Sequence, residues 1–284
     1  MRTGLALEGG AMRGMFTAGI LDVWMENGIR FDGAAGISAG ALFGSNFKSG
    51  QIGRALRYNL RYGRDPRYMS LRSLIRTGDL YGAEFCYHTI PDHLDPFDWE
   101  TFRNNPMELF IGATDVRTGG IRYYRCEGDR ERDTLWMQAS ASMPMVSRVV
   151  RVDGFELLDG GIVEAVPYPC LERNGYERNV MILTQPAGYV KQKKDMQLLI
   201  RVLMKRYPEI VQAMSKRHIC YNGQMEQIQQ RERSGKALVI RPPEPLGIRR
   251  TENDPEELER VYRIGRQEAE RRLEEVREFL QQNG

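Results

Sequence analysis

The chain has 284 residues, of which 41% are hydrophobic and 28% charged, and its formal net charge is +3. This length suits one sizeable α/β domain with an appended helix, and the ordinary composition excludes a disordered or fibrous protein. The four cysteines form no CxxC pair and only three histidines accompany them. That pattern argues against a zinc site or a disulfide framework and favours a reducing compartment.

Two βα units are predicted in the first fifty residues. A buried strand over 3–7 is followed by a glycine-rich turn and a helix over 14–26. An extended segment over 29–37 then turns at Ser38 into a second helix. Because parallel crossovers are almost always right-handed, both turns should open at the same sheet edge, where open α/β sheets bind ligands.

The remainder of the chain continues the alternation of strands and helices and contains no repeat. Its end reads Asp-Pro-Glu-Glu at 254–257, which predicts an N-cap followed by a helix that reaches about residue 282. One face of this charged helix is apolar, which suits packing on the parent domain or contact with a partner. Further strands are predicted over 109–114, 121–124, 180–184 and 237–240, and further helices over 52–62, 133–141 and 195–230.

Two stretches of the chain are strongly basic. Residues 54–76 hold seven arginines against one acid, and residues 189–217 hold eight lysines and arginines against two acids. They are either solvated helix faces or surfaces attracted to anionic head groups. No recognition motif supports nucleic acid as a partner. Since no run of 18 apolar residues and no signal-peptide layout is present, we expect a cytoplasmic or membrane-peripheral protein.

The pentad Gly36-Ile37-Ser38-Ala39-Gly40 follows a predicted strand and precedes a predicted helix. A nucleophilic serine at such a turn needs small flanking residues, because only then can the backbone form a strained elbow that exposes the hydroxyl. With 29 glycines in the chain, the pentad alone is weak evidence. Its position between strand and helix is the context that serine acyl hydrolysis requires.

A second motif, Gly9-Gly10-Ala11-Met12-Arg13-Gly14, lies at the first βα turn. Its backbone amides can point into open space and stabilise the oxyanion of a tetrahedral intermediate. The competing interpretation is a dinucleotide fingerprint with Asp32 as the acid that binds the ribose. Ala11 weakens that alternative, because it occupies the position where the backbone must approach a pyrophosphate most closely.

A third motif, Asp159-Gly160-Gly161, places a carboxylate at the end of an apolar strand. A serine hydroxyl needs a base within hydrogen-bonding reach. Asp159 is the better candidate for that base, although an aspartate with an ordinary pKa is a weak one and turn aspartates often only bond their own backbone. The three histidines lie outside glycine turns and strand ends and are interpreted as structural or surface residues: His88, His93 and His218.

Taken in order, these three motifs resemble those of the patatin-like phospholipases. That family has a glycine-rich oxyanion loop with a basic residue, a Gly-x-Ser-x-Gly elbow and an Asp-Gly-Gly/Ala motif. The stretch Ala-Ser-Ala-Ser-Met-Pro at 139–144 also matches the family's surroundings, so that the resemblance covers residues 3–185. It implies a three-layer α/β/α sandwich with a mainly parallel central sheet and lipid acyl hydrolysis without a metal or cofactor.

The resemblance also implies roles for individual residues. It implies a catalytic dyad of Ser38 and Asp159 that works without histidine. Arg13 matches the family's basic position, where it either braces the loop or meets a phosphate. One departure is Ala11, which replaces the third glycine of the loop but still supplies an N–H. The implied oxyanion donors are the amides of Gly9, Gly10 and Ala11, and the supporting motif glycines are Gly14, Gly36, Gly40, Gly160 and Gly161.

The sequence therefore predicts a serine acyl hydrolase that acts on lipid or fatty-acyl esters and is able to contact anionic membranes peripherally. The alternative is a non-hydrolytic lipid- or nucleotide-binding protein on the same scaffold. Oligomeric state is left open. The expected organisation is a catalytic core over 1–185, a basic helical segment with the last strand over 186–241, and a linker with a charged C-terminal helix over 242–284.

Overall fold

The computed structural model describes residues 1–193 and 197–281, and helices and strands alternate along it. The strands are β1 Arg2–Leu7, β2 Gly33–Ile37, β3 Glu108–Asp115, β4 Ile121–Arg125, β5 Val150–Val152, β6 Phe155–Asp159, β7 Tyr176–Ile182 and β8 Ala237–Ile240. The α-helices are α1 Met15–Glu26, α2 Ala39–Lys48, α3 Arg54–Tyr62, α4 Leu71–Thr77, α5 Trp99–Asn104, α6 Arg130–Ala141, α7 Tyr168–Arg173, α8 Gln197–Leu203, α9 Pro208–Arg233, α10 Pro255–Arg271 and α11 Leu273–Gln281.

The strands form one sheet in the order β5-β6-β3-β2-β1-β7-β8, with β4 paired to β3. β1, β2, β3, β7 and β8 run parallel, whereas β4, β5 and β6 are antiparallel to their neighbours. The predicted fold class, an α/β protein with a mainly parallel sheet, is thus confirmed. Because successive side chains of a strand point to opposite faces, Leu5 and Leu7 enter one core while Ala6 enters the other.

Helices cover both faces of this sheet. Helices α1, α2, α6 and α10 pack with the core that contains Leu5 and Leu7, and α7 and α9 pack with the core that contains Ala6. The result is a three-layer α/β/α sandwich. Both faces of the central strands are therefore covered, which is why β1 and β2 read as continuous apolar or glycine-rich runs rather than alternating ones.

The predicted helix over 195–230 differs from the structure. Its first residues fall within 194–196, which lie outside the described residues. In the described part, α8 ends at Leu203 and α9 begins at Pro208. The proline ring disfavours helical geometry in the preceding residue. Tyr207 accordingly has a non-helical backbone conformation, with φ −130° and ψ 72°. The long periodic pattern therefore contains two helices.

A segment between α3 and β3 was not predicted to carry regular structure. It contains α4, α5 and a π-helix at Phe85–Leu94 that includes Pro91. Its apolar side chains, such as Phe85 and Ile90, are buried against the same core as α1 and α2. Short helices joined by prolines lack the sustained periodicity from which helices are read in a sequence.

The C-terminal helical region begins at Pro255, where the Asp254 side chain caps the helix by accepting from the Glu256 amide. Instead of one helix there are two, because the chain breaks at Arg272, whose guanidinium donates to the carbonyl of Val239 at 2.6 Å. The predicted end near residue 282 lies outside the described residues. Among the helices described, none combines the length and apolar character needed to cross a membrane.

Candidate active site

Ser38 lies at the sharp turn between β2 and α2, with φ 55° and ψ −123°. A residue with a side chain rarely adopts a positive φ, because the Cβ atom then crowds its own backbone. Two hydrogen bonds hold this conformation: the Ser38 amide donates to Ser140 Oγ at 2.8 Å, and the Ser140 hydroxyl donates to the Gly112 carbonyl at 2.7 Å. The turn has the strained geometry of a nucleophile elbow.

The glycines around Ser38 allow this turn to pack closely. A Cβ atom on Gly36 would lie 2.6 Å from the Ala41 amide nitrogen. On Gly40, it would lie 2.4 Å from the carbonyl oxygen of Leu7. Neither distance is compatible with a side chain, so both glycines of the pentad are required by close backbone approach.

Asp159 is brought to Ser38 by the way strands meet on β3. Along one edge of β3, Gly112 pairs with Ile37 of β2, and the next residue, Ala113, pairs with Asp159 of β6. β4 occupies the opposite edge. Since β2 runs parallel and β6 antiparallel to β3, their carboxyl ends face each other across this point. The residue that follows β2 and the last residue of β6 therefore come together.

The Asp159 carboxylate is buried, with 6% of the residue exposed, and Oδ1 accepts a hydrogen bond from the Gly161 amide at 2.7 Å. Burial raises the pKa of Asp159 above its usual value. The nearby charge of Arg217 and hydrogen bonding by the Ser38 hydroxyl and the Gly161 amide oppose this rise without cancelling it. The aspartate is thus a stronger base than one in water, and the Ser38 hydroxyl lies close enough to influence its pKa.

The glycine-rich loop follows β1 and passes beside the elbow. Of the three amides predicted to bind an oxyanion, that of Gly9 donates to the Ala165 carbonyl at 3.1 Å and is already occupied. In the described part of the chain, the amides of Gly10 and Ala11 donate no hydrogen bond. Ala11 has φ 50°, a conformation that glycine adopts without strain and alanine does not. Ala11 therefore occupies a backbone conformation that favours glycine.

The loop is anchored by Glu8, whose carboxylate is buried. It accepts hydrogen bonds from the amide and hydroxyl of Thr184 and, at 3.0 Å, from the Tyr221 hydroxyl. Arg13 Nε lies 3.4 Å from Thr184 Oγ1 in the same network. These anchors come from the end of β7 and from α9. Glu8 directly precedes the glycine-rich motif in the sequence, but the sequence gives no indication of its partners.

The remaining predicted residues also lie at this end of the sheet. Gly14 packs against Ala39 and Phe43 of α2, Gly160 lies against the Gly112 carbonyl, and Gly161 adjoins the Asp159 carboxylate. Asp32, the acid of the dinucleotide interpretation, precedes β2 at the opposite end and instead accepts from the Thr3 amide at 2.7 Å.

The three histidines take no part in this arrangement. His88 and His93 are exposed in the π-helix, and His218 is on α9. None of them lines the cavity at Ser38. Across residues 1–193 and 197–281, no group of three or more histidine, cysteine, aspartate or glutamate side chains is placed to hold a metal ion.

A largely apolar cavity opens beside the elbow. The cavity and its open mouth together span about 1240 Å³. The cavity extends from Ser38 and Met12 between α2, α3, the π-helix and α6. Its side chains include Leu42, Phe43, Tyr58, Tyr68, Tyr81, Tyr87, Ile90, Phe97, Trp99, Met137 and Met143.

The elbow at Ser38, the adjacent Asp159 carboxylate and the apolar cavity thus lie together at one end of an α/β/α sandwich. The family profile described as "Patatin-like phospholipase" matches residues 5–169, more than half of the chain, and the chain belongs to that family. Residues 207–281 match a second profile, described as a domain of unknown function, DUF6363.

Known relatives are similar over part of their length. The "Uncharacterized protein YjjU" of Escherichia coli K12 is 29% identical over 191 residues, which is 66% of this chain and 53% of that protein. The "Uncharacterized NTE family protein Rv1063c" of Mycobacterium tuberculosis H37Rv is 26% identical over 166 residues, or 58% of this chain and 44% of that protein. The chain thus matches about half the length of these curated relatives.

Proposed function

We propose that this protein is a lipid acyl hydrolase in which Ser38 is the nucleophile and Asp159 the general base. The observation that carries the proposal is that the Ser38 elbow and the buried Asp159 carboxylate meet at the ends of β2 and β6, beside an apolar cavity. The raised pKa of Asp159 makes it a better proton acceptor than an ordinary aspartate. The cavity suits a fatty acyl chain, because burial of methylene groups is favourable in proportion to the area removed from water.

The reaction proceeds in two steps. The proton of the Ser38 hydroxyl moves to Asp159 as Ser38 Oγ attacks the ester carbonyl, and the amides of Gly10 and Ala11 donate hydrogen bonds to the carbonyl oxygen as it becomes negative. The intermediate then expels the alcohol, which takes the proton from Asp159 and leaves an acyl-enzyme. A water molecule next loses its proton to Asp159 and attacks the acyl carbonyl, and Ser38 regains the proton as the fatty acid leaves.

The test is labelling with a fluorophosphonate probe and turnover of a p-nitrophenyl acyl ester. We expect wild type to be labelled and active, and Ser38→Ala to be neither. Ser234→Ala, which changes an exposed serine distant in sequence from all three motifs, is the matched control and should behave as wild type. Equal labelling of wild type and Ser38→Ala would refute the assignment of the nucleophile.

The strained backbone at Ser38 distinguishes hydrolysis from the alternative of lipid binding without turnover. A positive φ at a serine costs about 1–3 kcal/mol, and such strain is typically retained at sites where it contributes to the mechanism. A protein that only holds a lipid has no use for an exposed elbow hydroxyl. If wild type binds a fatty acyl ester but neither cleaves it nor reacts with the probe, the protein is a lipid-binding protein and the hydrolase proposal is wrong.

We also propose peripheral contact with anionic membranes through α4 and α8. Both helices expose large apolar side chains: Ile75 is 85% exposed and Leu198 is 77% exposed. Arginines such as Arg76 and Arg201 lie on the same short helices. Apolar and basic side chains together are what an interfacial helix presents to negatively charged lipid.

Co-sedimentation with vesicles at low salt tests this contact. We expect more binding to phosphatidylglycerol vesicles than to phosphatidylcholine vesicles, and a weaker interaction for the double variant Ile75→Ser and Leu198→Ser. Equal co-sedimentation with both vesicle types would exclude electrostatic recognition of the membrane.

A further inference from the structure

Four basic side chains from separate parts of the chain gather beside the oxyanion loop, and we call them the cationic cluster. Arg13 lies within the loop itself, Lys191 follows β7, Arg217 lies on α9 and Arg250 lies on the connection before α10. Their positive charges repel one another strongly enough to affect the pKa of Lys191, Arg217 and Arg250, so the four side chains lie close together. Each is half-buried.

Direct contacts tie the cluster to the catalytic motifs. Arg217 Nε donates to the Gly161 carbonyl at 2.6 Å, two residues from Asp159. The ammonium of Lys191 lies 3.8 Å from the centre of the Tyr221 ring, and the hydroxyl of that ring donates to Glu8. The cluster therefore borders both the dyad and the anchor of the oxyanion loop.

The positive charges of the cluster are not balanced. Within residues 1–193 and 197–281, none of the four forms an ion pair, and the acids whose charges act most strongly on Lys191, Arg217 and Arg250 are Asp159 and Glu8. Burial lowers the pKa of Arg217 and Arg250, and burial with repulsion by the three arginines lowers the pKa of Lys191 to about 7. Because half-buried charges without partners are costly, this arrangement is adapted to receive an anion.

The cluster and the acyl cavity lie on different sides of Ser38. The cavity is lined by Ala11, Met12 and Ser38 but by none of the four cations. An ester whose acyl chain fills the cavity and whose carbonyl meets the loop therefore directs its alcohol portion away from the cavity, toward Asp159 and Arg217.

We infer that the cationic cluster binds a doubly charged phosphate monoester on the alcohol portion of the substrate and so selects acylglycerol phosphates over zwitterionic phosphocholine lipids. This inference rests on the proposed function. Three arginines and the partly charged Lys191 face two carboxylates, so the cluster keeps an excess of positive charge, which favours the more negative phosphate monoester. The planar guanidinium groups bind phosphate oxygens in pairs, whereas the quaternary ammonium of choline would be repelled.

The test compares two esters that have the same medium-length acyl chain, 1-acylglycerol 3-phosphate and 1-acylglycerophosphocholine, at monomeric concentrations. We expect wild type to prefer the phosphate monoester by at least about tenfold in kcat/KM. Arg250→Gln should reduce that preference about tenfold. Arg250 is chosen because its side chain donates no hydrogen bond in the described part of the chain, so its replacement breaks no hydrogen bond there. Arg249→Gln alters the exposed neighbour and should retain the preference.

A binding measurement on Ser38→Ala separates this inference from the proposed hydrolysis. Calorimetric titration with glycerol 3-phosphate should give binding that Arg250→Gln abolishes, whether or not any ester is cleaved. If the p-nitrophenyl ester is hydrolysed but glycerol 3-phosphate neither binds nor is preferred in an ester, the hydrolase assignment stands and the cluster's role is refuted. If inorganic phosphate alone binds and no ester preference exists, the cluster is a site for a free anion and the inference is overturned.

Discussion

Two residues beside the reaction centre hold conformations that their side chains disfavour. Ser38 has φ 55° and Ala11 has φ 50°, and they flank the space where an ester carbonyl would lie. Each of these backbone conformations costs about 1–3 kcal/mol, which the surrounding hydrogen bonds and close packing must offset. Under the proposed mechanism, this rigidity holds the nucleophile and the oxyanion amides in position before substrate arrives, so little reorganisation is needed during the reaction.

Asp159→Asn tests the base directly. We expect turnover of a p-nitrophenyl acyl ester to fall by roughly 10²–10⁴-fold, because the amide cannot accept the serine proton. The melting temperature should remain equal or rise, since the amide removes a buried charge while its oxygen can still accept from the Gly161 amide. Retained turnover would show that Asp159 is not the base and would leave His88, His93 and His218 as the candidates to test.

The raised pKa of Asp159 also predicts the direction of pH effects. Because the base must be ionised, kcat/KM should decrease as pH falls through a pKa above the ordinary value of 3.8. The stability of the fold changes with pH in the opposite direction. Folding favours the protonated form of Asp159, so the contribution of this residue to the free energy of unfolding is lost as pH rises through the raised pKa. The stabilisation of Asp159→Asn relative to wild type, measured by thermal unfolding, should therefore grow with pH. If the stability difference between Asp159→Asn and wild type did not change with pH, the pKa of Asp159 would not be raised by burial of its charge.

Lys191 should be the most reactive lysine near neutral pH. With the pKa of Lys191 lowered to about 7, this side chain is an uncharged amine in roughly half of the molecules at pH 7. An ordinary lysine is uncharged in only about one molecule in 10³. Brief treatment with an acetylating reagent, followed by peptide mass spectrometry, should modify Lys191 ahead of the exposed Lys236. Glycerol 3-phosphate should protect it. Equal rates at both lysines would show that Lys191 retains an ordinary pKa.

At the scale of elements, the junction of β2 with α2 depends on close approach of two backbones. In Gly40→Ala the added methyl group would meet the Leu7 carbonyl, and we expect the free energy of unfolding to decrease by about 1–3 kcal/mol. Gly223→Ala is the matched control, because Gly223 lies within α9 with no atom near its would-be Cβ. It should instead stabilise the protein by about 0.5–1 kcal/mol through helix propensity. Urea denaturation of both variants measures the difference.

The elements that the sequence predicted well are those with a local cause. The strand, turn and helix around Ser38 follow from periodicity and small residues over a few positions, and the three motifs gave the candidate dyad. The pairing of Asp159 with Ala113 was not predictable in the same way, because strand register depends on contacts distant in sequence. For the same reason the stretch 189–217 was recognised as basic, but the position of Arg217 at Gly161 was not.

At the scale of the whole molecule, the C-terminal extension is packed into the fold. Helix α10 crosses α1 so closely that a Cβ atom on Gly265 would lie 2.0 Å from the Phe16 carbonyl. The Tyr262 hydroxyl also donates to the buried Asp22 carboxylate at 2.7 Å. The two stretches that match separate family profiles thus share one core, and residues 207–281 also supply Arg217 and Arg250 to the cationic cluster.

Tyr262→Phe should destabilise the whole protein by about 1.5–3 kcal/mol, because Asp22 loses a hydrogen bond where water cannot replace it. Tyr189→Phe is the matched control, since the Tyr189 hydroxyl makes no hydrogen bond within the part of the chain described. It should leave the free energy of unfolding nearly unchanged. Chemical denaturation followed by fluorescence and by circular dichroism should give one shared transition for Tyr262→Phe. Separate transitions would mean that the C-terminal helices unfold independently.

The meeting of β2 and β6 end to end on β3 also has a consequence for the growing polypeptide. Ser38 leaves the ribosome early, whereas its partner carboxylate is synthesised much later and reaches it only after β6 has joined the edge of β3. A nascent chain that ends before β6 carries the nucleophile without its base. Under the proposed mechanism, such a chain would be inert toward the lipids around it, and hydrolytic capacity would begin only when the sheet is nearly complete.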